Sequence, residues 1–300
     1  MRRKITIAII IMAALLVPLW AQTEANFTVT RTEDGRGIRI NGYSGTVTAV
    51  RIPATIQDLP VREIYILEHE MAPEARITTV TIPASVTSIE SSAFNGCRRL
   101  TSITVDGNNP NYSSENGILY NKEKTTLIAV PQTLNGTVSI PASVTSIMGV
   151  GGGTFFNSTG ITGIMVDENN LNYSSENGIL YDKAKTEAIR APGGISGTVS
   201  IPTSVTKIGD GAFLGCARLT AVNIPEGVMS IGQHAFGGCT SITNISVPAN
   251  VRSIGIFAFS LWTNRQTITV QGHANHAATD AAWGSTWRTA CNARIIYQGQ

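Results

Sequence analysis

"IPTSVTKIGDGAFLGCARLTAVNIP" (Ile201–Pro225) is followed at once by "EGVMSIGQHAFGGCTSITNISVP" (Glu226–Pro248). The two phrases place Ala212, Phe213 and Cys216 against Ala235, Phe236 and Cys239, with Phe213 and Phe236 23 residues apart. Self-similarity at so short a period is how a solenoid is written, each copy being one layer of a stack. Extending the alignment through the apolar residue that closes each I-x-I-P-like stretch gives Ile52, Ile82, Val105, Ile140, Val166, Ile201, Ile224, Val247 and Val270. The successive gaps are 30, 23, 35, 26, 35, 23, 23 and 23.

Within each copy the core reads Leu100-x-x-Ile103-x-Val105, Leu219-x-x-Val222-x-Ile224 and Ile242-x-x-Ile245-x-Val247. This L-x-x-L-x-L pattern at 20 to 29 residues marks a leucine-rich repeat solenoid, and its alternation is that of a strand with one face buried. Proline ends the strand because it cannot donate to a ladder. A second alternation follows at Ser85–Ile89, Ser204–Ile208 and Gly227–Ile231, which predicts a short second strand on the far side of the coil. Gly209 or Gly232 then marks a turn, and the Ala-Phe pair and Cys plug the interior from a tight turn or 3-10 segment. One coil cannot stand alone. About six apolar side chains at ~1.5 to 3 kcal/mol each do not offset ~1 to 2 kcal/mol of backbone entropy for every residue ordered. Stacking shares ladder and core between neighbours, and at ~4.8 Å per layer the strands predict a rod roughly 40 Å long.

The two gaps of 35 have one explanation. "NPNYSSENGILYNKEKTTLIAVP" (Asn109–Pro131) and "NLNYSSENGILYDKAKTEAIRAP" (Asn170–Pro192) are near copies offset by 61 residues. Each has an apolar strand ending at Tyr120 or Tyr181, a polar turn and a return strand, which predicts two β-hairpin insertions that replace the far side of a coil and project from the rod.

Composition narrows the function. Hydrophobic residues make up 42% and charged residues 14% of the chain, with a formal net charge of +2; a chain so nearly neutral carries no electrostatic footprint for nucleic acid. The opening "MRRKITIAIIIMAALLVPLWAQ" has a basic start and an apolar run from Ile5 to about Leu19, the pattern of a signal peptide spanning residues 1–21. The run is below the roughly 20 residues that cross a bilayer, and no later stretch is longer. Export to an oxidising space makes Cys97, Cys216, Cys239 and Cys291 disulfide candidates. Three of them recur by register three residues after a Phe, which favours buried thiols; the disulfide alternative stays open for Cys216 and Cys239, one layer apart.

Candidate chemistry is sparse. The outward strand positions Thr81, Thr104, Ser139, Met165, Ser200, Asn223, Ser246 and Thr269 are small and uncharged, with no nucleophile beside a base and no convergent ligands. His273 and His276, with Asp280 after them, form the one metal-like cluster and lack a third ligand. His69 and His234 are isolated, and Gly149–Gly153 lacks the Lys and Ser/Thr of a phosphate loop. No catalytic residue, cofactor or metal is therefore expected. Binding energy concentrates in aromatic and cationic anchors, which here recur in the hairpins as Tyr112, Tyr120, Lys122, Lys124, Tyr173, Tyr181, Lys183 and Lys185. These, with Thr104, Ser139, Ser200, Asn223 and Ser246 on the strand face, are the candidate partner-binding residues. The competing reading is that the tyrosines pack each hairpin onto its coil.

The phrase "SVTxIGxxAFxGCxxLTxxxIP", with the interposed "NGILYxKxKT", resembles the BspA-like family of bacterial leucine-rich repeat proteins, also described from treponemes, over roughly residues 76 to 270. The resemblance implies a surface-exposed or secreted protein that binds host extracellular matrix or other bacteria. A periplasmic or envelope interaction protein with no host ligand is the alternative. Departures are a glycine insertion and Thr159 in place of Cys in the coil after Ile140, a degenerate start, and a tail from Gln271 that leaves the pattern, with Trp283, Trp287 and Cys291 to cover the last coil. The expected organisation is a signal peptide at 1–21, a cap and degenerate coil at 22–76, the solenoid at 77–270 and a C-terminal cap at 271–300.

Overall fold

A computed structural model describes residues 22–68, 76–149, 154–155 and 158–299. The proposed signal peptide, His69 and most of the glycine insertion lie outside the described residues. Strands make up nearly all of the regular structure, and the chain coils into a solenoid of mostly parallel strands.

The near face is laid down by the strands that the repeat predicts. Ala49–Arg51, Thr79–Ile82 and Ser102–Val105 pair in parallel, as do Gly136–Ile140 with Ile161–Val166, Gly197–Ser200 with Leu219–Asn223, and Asn244–Val247 with Thr267–Gln271. Register follows the repeat, so that Thr81 faces Thr104, Ser200 faces Asn223 and Ser246 faces Thr269. On the far side the second strands are two residues long. Lys207–Ile208, Ser230–Ile231 and Ser253–Ile254 stack in parallel with Ile208, Ile231 and Ile254 in one row.

Between the two faces the Ala-Phe plug closes each coil from a turn. Phe213, Phe236 and Phe259 form a column with ring centroids 5.1 and 5.7 Å apart and interplanar angles of 11° and 8°. The turns are laddered too, since Phe213 N–H donates to Ala235 O and Phe236 N–H to Ala258 O, both at 2.8 Å. The recurring Cys is a buried donor. Cys239 Sγ donates to Phe213 O at 3.1 Å and Cys216 Sγ to Pro192 O at 3.6 Å. In the next coil Trp262 takes the same register position, and its indole N–H donates to Phe236 O at 2.8 Å. All four cysteines are free thiols. In the glycine-inserted coil the buried plug is Phe155, which puts Ser158, not Thr159, at the Cys position.

The hairpins do not project. Strands Tyr112–Glu115 and Ile118–Asn121 pair antiparallel, and the second of them pairs with Thr126–Ala129, which joins the far-side sheet through Ser146–Ile147. All three residues Ile118, Leu119 and Tyr120 are buried, because alternate side chains enter the cores on either side: Leu119 packs into the preceding cluster, Ile118 and Tyr120 into the next. The second hairpin, Tyr173–Glu176 with Ile179–Asp182, repeats this, with Leu180 packing backwards and Ile179 and Tyr181 forwards. Each hairpin is thus a septum across the rod, and the two septa divide the apolar interior into three compartments. A strand apolar on both faces is the signature of burial on both sides, which explains the "ILY" run that alternation alone read as an outer strand.

Two buried asparagines fasten the septa. Asn109 donates through Nδ2 to Pro83 O (2.8 Å) and Val86 O (3.1 Å) of the preceding coil and accepts at Oδ1 from the N–H groups of Asn111 and Tyr112, both at 2.8 Å. Asn170 repeats all four bonds with Pro141, Val144, Asn172 and Tyr173. At the tip, Asn116 and Gly117 both have positive φ (51° and 79°), as a tight turn between twisted strands demands. A Cβ on Gly117 would lie 3.0 Å from Ser102 Oγ and one on Gly178 3.1 Å from Gly163 Cα, so each tip presses on the near face at a place open only to glycine.

At the C-terminal end the tail rejoins the pattern it was expected to leave. Strand Arg294–Gln298 pairs in parallel with Thr267–Gln271 as a further near-face strand. The preceding helix His276–Trp283 and the 3-10 turn Ser285–Arg288 pack Trp283 and Trp287 into the last compartment, where Trp287 meets Phe259 edge-on at 6.1 Å.

Candidate interaction surface

The structure separates the sequence-predicted residues into two groups. Thr104, Ser139, Ser200 and Asn223 are exposed on the near face and Ser246 is half-buried there. The row is held by short side-chain bonds, Asn223 Nδ2 donating to Ser200 Oγ and Gln271 Nε2 to Ser246 Oγ, both at 3.0 Å. Met165, opposite Ser139, is 61% exposed and gives the ribbon an apolar point near its middle.

The hairpin residues fare differently. Tyr120 and Tyr181 are 2% and 0% exposed and form part of the septa, so as surface anchors they are corrected to core. Burial, and secondarily the Glu115 carboxylate, pushes the Tyr120 phenol up to about 12, and burial with Glu176 pushes Tyr181 up likewise. The Tyr181 hydroxyl has no hydrogen-bond partner among the described residues. Tyr112 and Tyr173 are half-buried, raised by the same cause, and Tyr112 donates to Thr87 O at 3.4 Å. The lysines are engaged locally: Lys124 pairs with Glu115 at 2.7 Å and Lys185 with Glu176 at 2.5 Å inside their hairpins, while Lys122 and Lys183 reach the carbonyls of Gly107 and Glu168 just ahead of them, both at 3.1 Å. The two half-exposed ion pairs are worth little in stability, but they match Lys124 and Lys185 each with a carboxylate of its own hairpin.

The histidine cluster dissolves. His273 lies edge-on to Trp283 at 4.8 Å, while His276 accepts at Nδ1 from Arg288 at 3.0 Å and touches the Tyr297 hydroxyl. Asp280 is taken by a two-pronged contact from Arg288 at 2.6 and 2.7 Å. Among the described residues no group of three or more His, Cys, Asp and Glu could hold a metal ion, and no helix is long and apolar enough to cross a membrane. Among the described residues one cation is buried: Arg190, in the second hairpin's coil, donates to Gly211 O (2.7 Å) and Phe155 O (3.1 Å), with its pKa lowered by burial. Its neighbour Ala191 donates to Ala212 O at 2.6 Å, the rung that Phe213 makes to Ala235 O in the next coil.

A feature that alternation did not reveal is a cleft of about 220 Å³ where the first hairpin tip meets the near face, lined by Glu115, Asn116, Ile118, Tyr120, Thr137 and Ser139 among others. The signal available in the sequence was the offset of 61 residues that repeats Glu115, Tyr120, Thr137 and Ser139 as Glu176, Tyr181, Thr198 and Ser200.

A solenoid with these strands is a leucine-rich repeat protein. The family model of the BspA type leucine-rich repeat region matches residues 73–175 and 195–286 in six copies, and the chain belongs to that family. Among solved structures it is similar to a leucine-rich repeat protein from Eubacterium ventriosum, with 20% identity over 91% of this chain and 83% of that one and a TM-score of 0.54, a likeness of fold. It also matches a leucine rich cell surface protein from Faecalibacterium prausnitzii (18% identity, 93% and 95% coverage, TM-score 0.40) and the T. pallidum leucine-rich repeat protein (23%, 80% and 87%, TM-score 0.30). No curated protein matches the chain.

Proposed function

We propose that the protein is an exported scaffold that holds a protein partner on its near face, serving adhesion to host extracellular matrix or to other cells. The observation that carries this reading is the ribbon of exposed, uncharged, hydrogen-bonding side chains along consecutive strands, Thr104, Ser139, Ser200 and Asn223, with Met165 standing out of it. Uncharged hydroxyls and amides are the cheaper groups to desolvate against a flat partner. The BspA-type family supports an interaction role, because stacked repeats turn a short chain into an extended surface.

Two measurements test it. Mature protein lacking residues 1–21 is immobilised and offered a panel of matrix proteins and intact bacteria; retention that falls when Met165 and Ser139 are changed together to Glu is expected. Protease shaving of intact source cells is expected to cleave the protein. No retention from any member of the panel, with the protein inaccessible from outside, would replace adhesion by an envelope role.

A further inference from the structure

Each hairpin tip interrupts the near-face ladder, and the two sides of the interruption are unequal. The strand before the first tip is satisfied: Ile103 N–H donates to Gly117 O at 2.9 Å and Val105 N–H to Ser114 Oγ at 3.0 Å. The second tip repeats this with Ile164 to Gly178 O at 2.8 Å and Val166 to Ser175 Oγ at 2.9 Å. The strand after the first tip is not so served. Gly136–Ile140 pairs with Ile161–Val166 and, among the described residues, with no other strand. Successive residues of a strand address opposite neighbours with their main-chain groups. Ile140 O accepts from Asp167 N–H at 3.0 Å, on the Ile161–Val166 side. Thr137 and Ser139 therefore direct their N–H and C=O groups the other way, toward the hairpin, and it is there that the cleft lies.

We propose that this cleft accepts an extended peptide segment of a protein partner as an added strand on the Gly136–Ile140 edge, through main-chain hydrogen bonds to Thr137 and Ser139. The proposal rests on the protein-binding reading and specifies its mode. The placement of the cleft favours it, since Thr137 and Ser139 line it on one side and the hairpin residues Glu115, Asn116, Ile118 and Tyr120 on the other. Strand addition draws affinity from the backbone and specificity from alternate side chains. Ile118 and Tyr120 form an apolar wall, and Glu115 is already neutralised by Lys124, so the fitting segment is uncharged and alternates β-branched apolar with small polar residues. The chain's own near-face strands have that composition, and between uninterrupted coils a strand of this kind occupies the corresponding place.

The test uses a fluorescein-labelled peptide LTSITV, the sequence of Leu100–Val105, titrated with protein lacking residues 1–21 and read by anisotropy. Saturable binding is expected, weakened at least about tenfold when the amides facing the edge are N-methylated, because two main-chain bonds are lost. Thr137→Trp, which fills the cleft from an exposed position, is expected to abolish binding while the circular-dichroism melt stays at the wild-type temperature. Equal binding of the methylated peptide, equal binding by T137W, or no binding up to the peptide's solubility limit overturns strand addition. The titration decides strand addition and the matrix panel decides partner binding, so either can fail visibly without the other.

Discussion

Phe236→Ala measures whether the layers truly stack. The side chain is fully buried, with one ring 5.1 Å before it and another 5.7 Å after it. Truncating a buried Phe costs ~3 to 5 kcal/mol in transfer and cavity terms, and each stacked pair adds ~0.5 to 1.5 kcal/mol beyond burial, so a value at or above the upper end is expected. Phe94→Ala is the comparison, since Phe94 plugs its coil and, among the described residues, no ring stacks on it; its cost should sit nearer ~3 kcal/mol. The natural probe discriminates regions. Trp262, Trp283 and Trp287 all belong to the last compartment, so tryptophan fluorescence of protein made without residues 1–21, and hence without Trp20, reports that compartment while far-ultraviolet circular dichroism reports the whole stack. In urea, Phe236→Ala should lower the fluorescence midpoint without changing the slope of that transition, and Phe94→Ala should move the dichroism more than the fluorescence. A Phe213→Ala/Phe236→Ala cycle should return a coupling of about 0.5 to 1.5 kcal/mol. A cost below about 1 kcal/mol, or a coupling near zero, would refute the stacked column.

Tyr181→Phe should be neutral or stabilising by up to about 1 kcal/mol in the same urea assay, because it removes a buried hydroxyl that has no partner among the described residues. Alkaline pH should unfold the protein progressively: Tyr120 is raised from 10.0 to about 12 and Cys216 from 9.0 to about 12, so their contribution is intact below pH 9 and is lost as pH climbs toward 12. Melting temperature should therefore fall steadily between pH 9 and 11, and less so in Tyr120→Phe; a flat profile contradicts the burial of these groups. Thiol titration with a chromogenic disulfide should find four thiols after denaturation and at most the half-buried Cys291 in the native protein; two thiols missing after denaturation would show a Cys216–Cys239 bridge instead.

The repeat made the layers legible and its exceptions made them misleading. Period 23 and the L-x-x-L-x-L core place the near-face strands, the far-side pairs and the Phe column, because each depends on one coil and its immediate neighbour. The septa depend on two coils at once. "NGILY" reads as the outer strand of a hairpin when each layer is considered singly, and only the simultaneous packing of Leu119 backwards and Tyr120 forwards shows that the strand cuts the core. The tail was unreadable for another reason: Arg294–Gln298 has lost the leucine-rich phrase but keeps strand alternation, and a parallel neighbour in Thr267–Gln271 is enough to make it the next layer.

The same division governs the candidate site. Exposure of Thr104, Ser139, Ser200 and Asn223 follows from alternation within one strand, and that part needed no coordinates. Tyr120 and Tyr181 looked like anchors because aromatic residues beside lysines are what binding surfaces show, yet their ring positions are set by a septum whose existence no local pattern announces. The septum also creates what alternation could not predict. By satisfying Ile103 and Val105 before it and leaving Thr137 and Ser139 without a strand after it, the Asn116–Gly117 tip converts a continuous ladder into one with an open edge beside a cleft. An uninterrupted solenoid offers edges only at its ends. Two insertions 61 residues apart offer them along the face, which gives a reason for the hairpin phrase to be kept nearly letter for letter: Asn109, Gly117 and Tyr120 form one device, and Asn170, Gly178 and Tyr181 are its second copy.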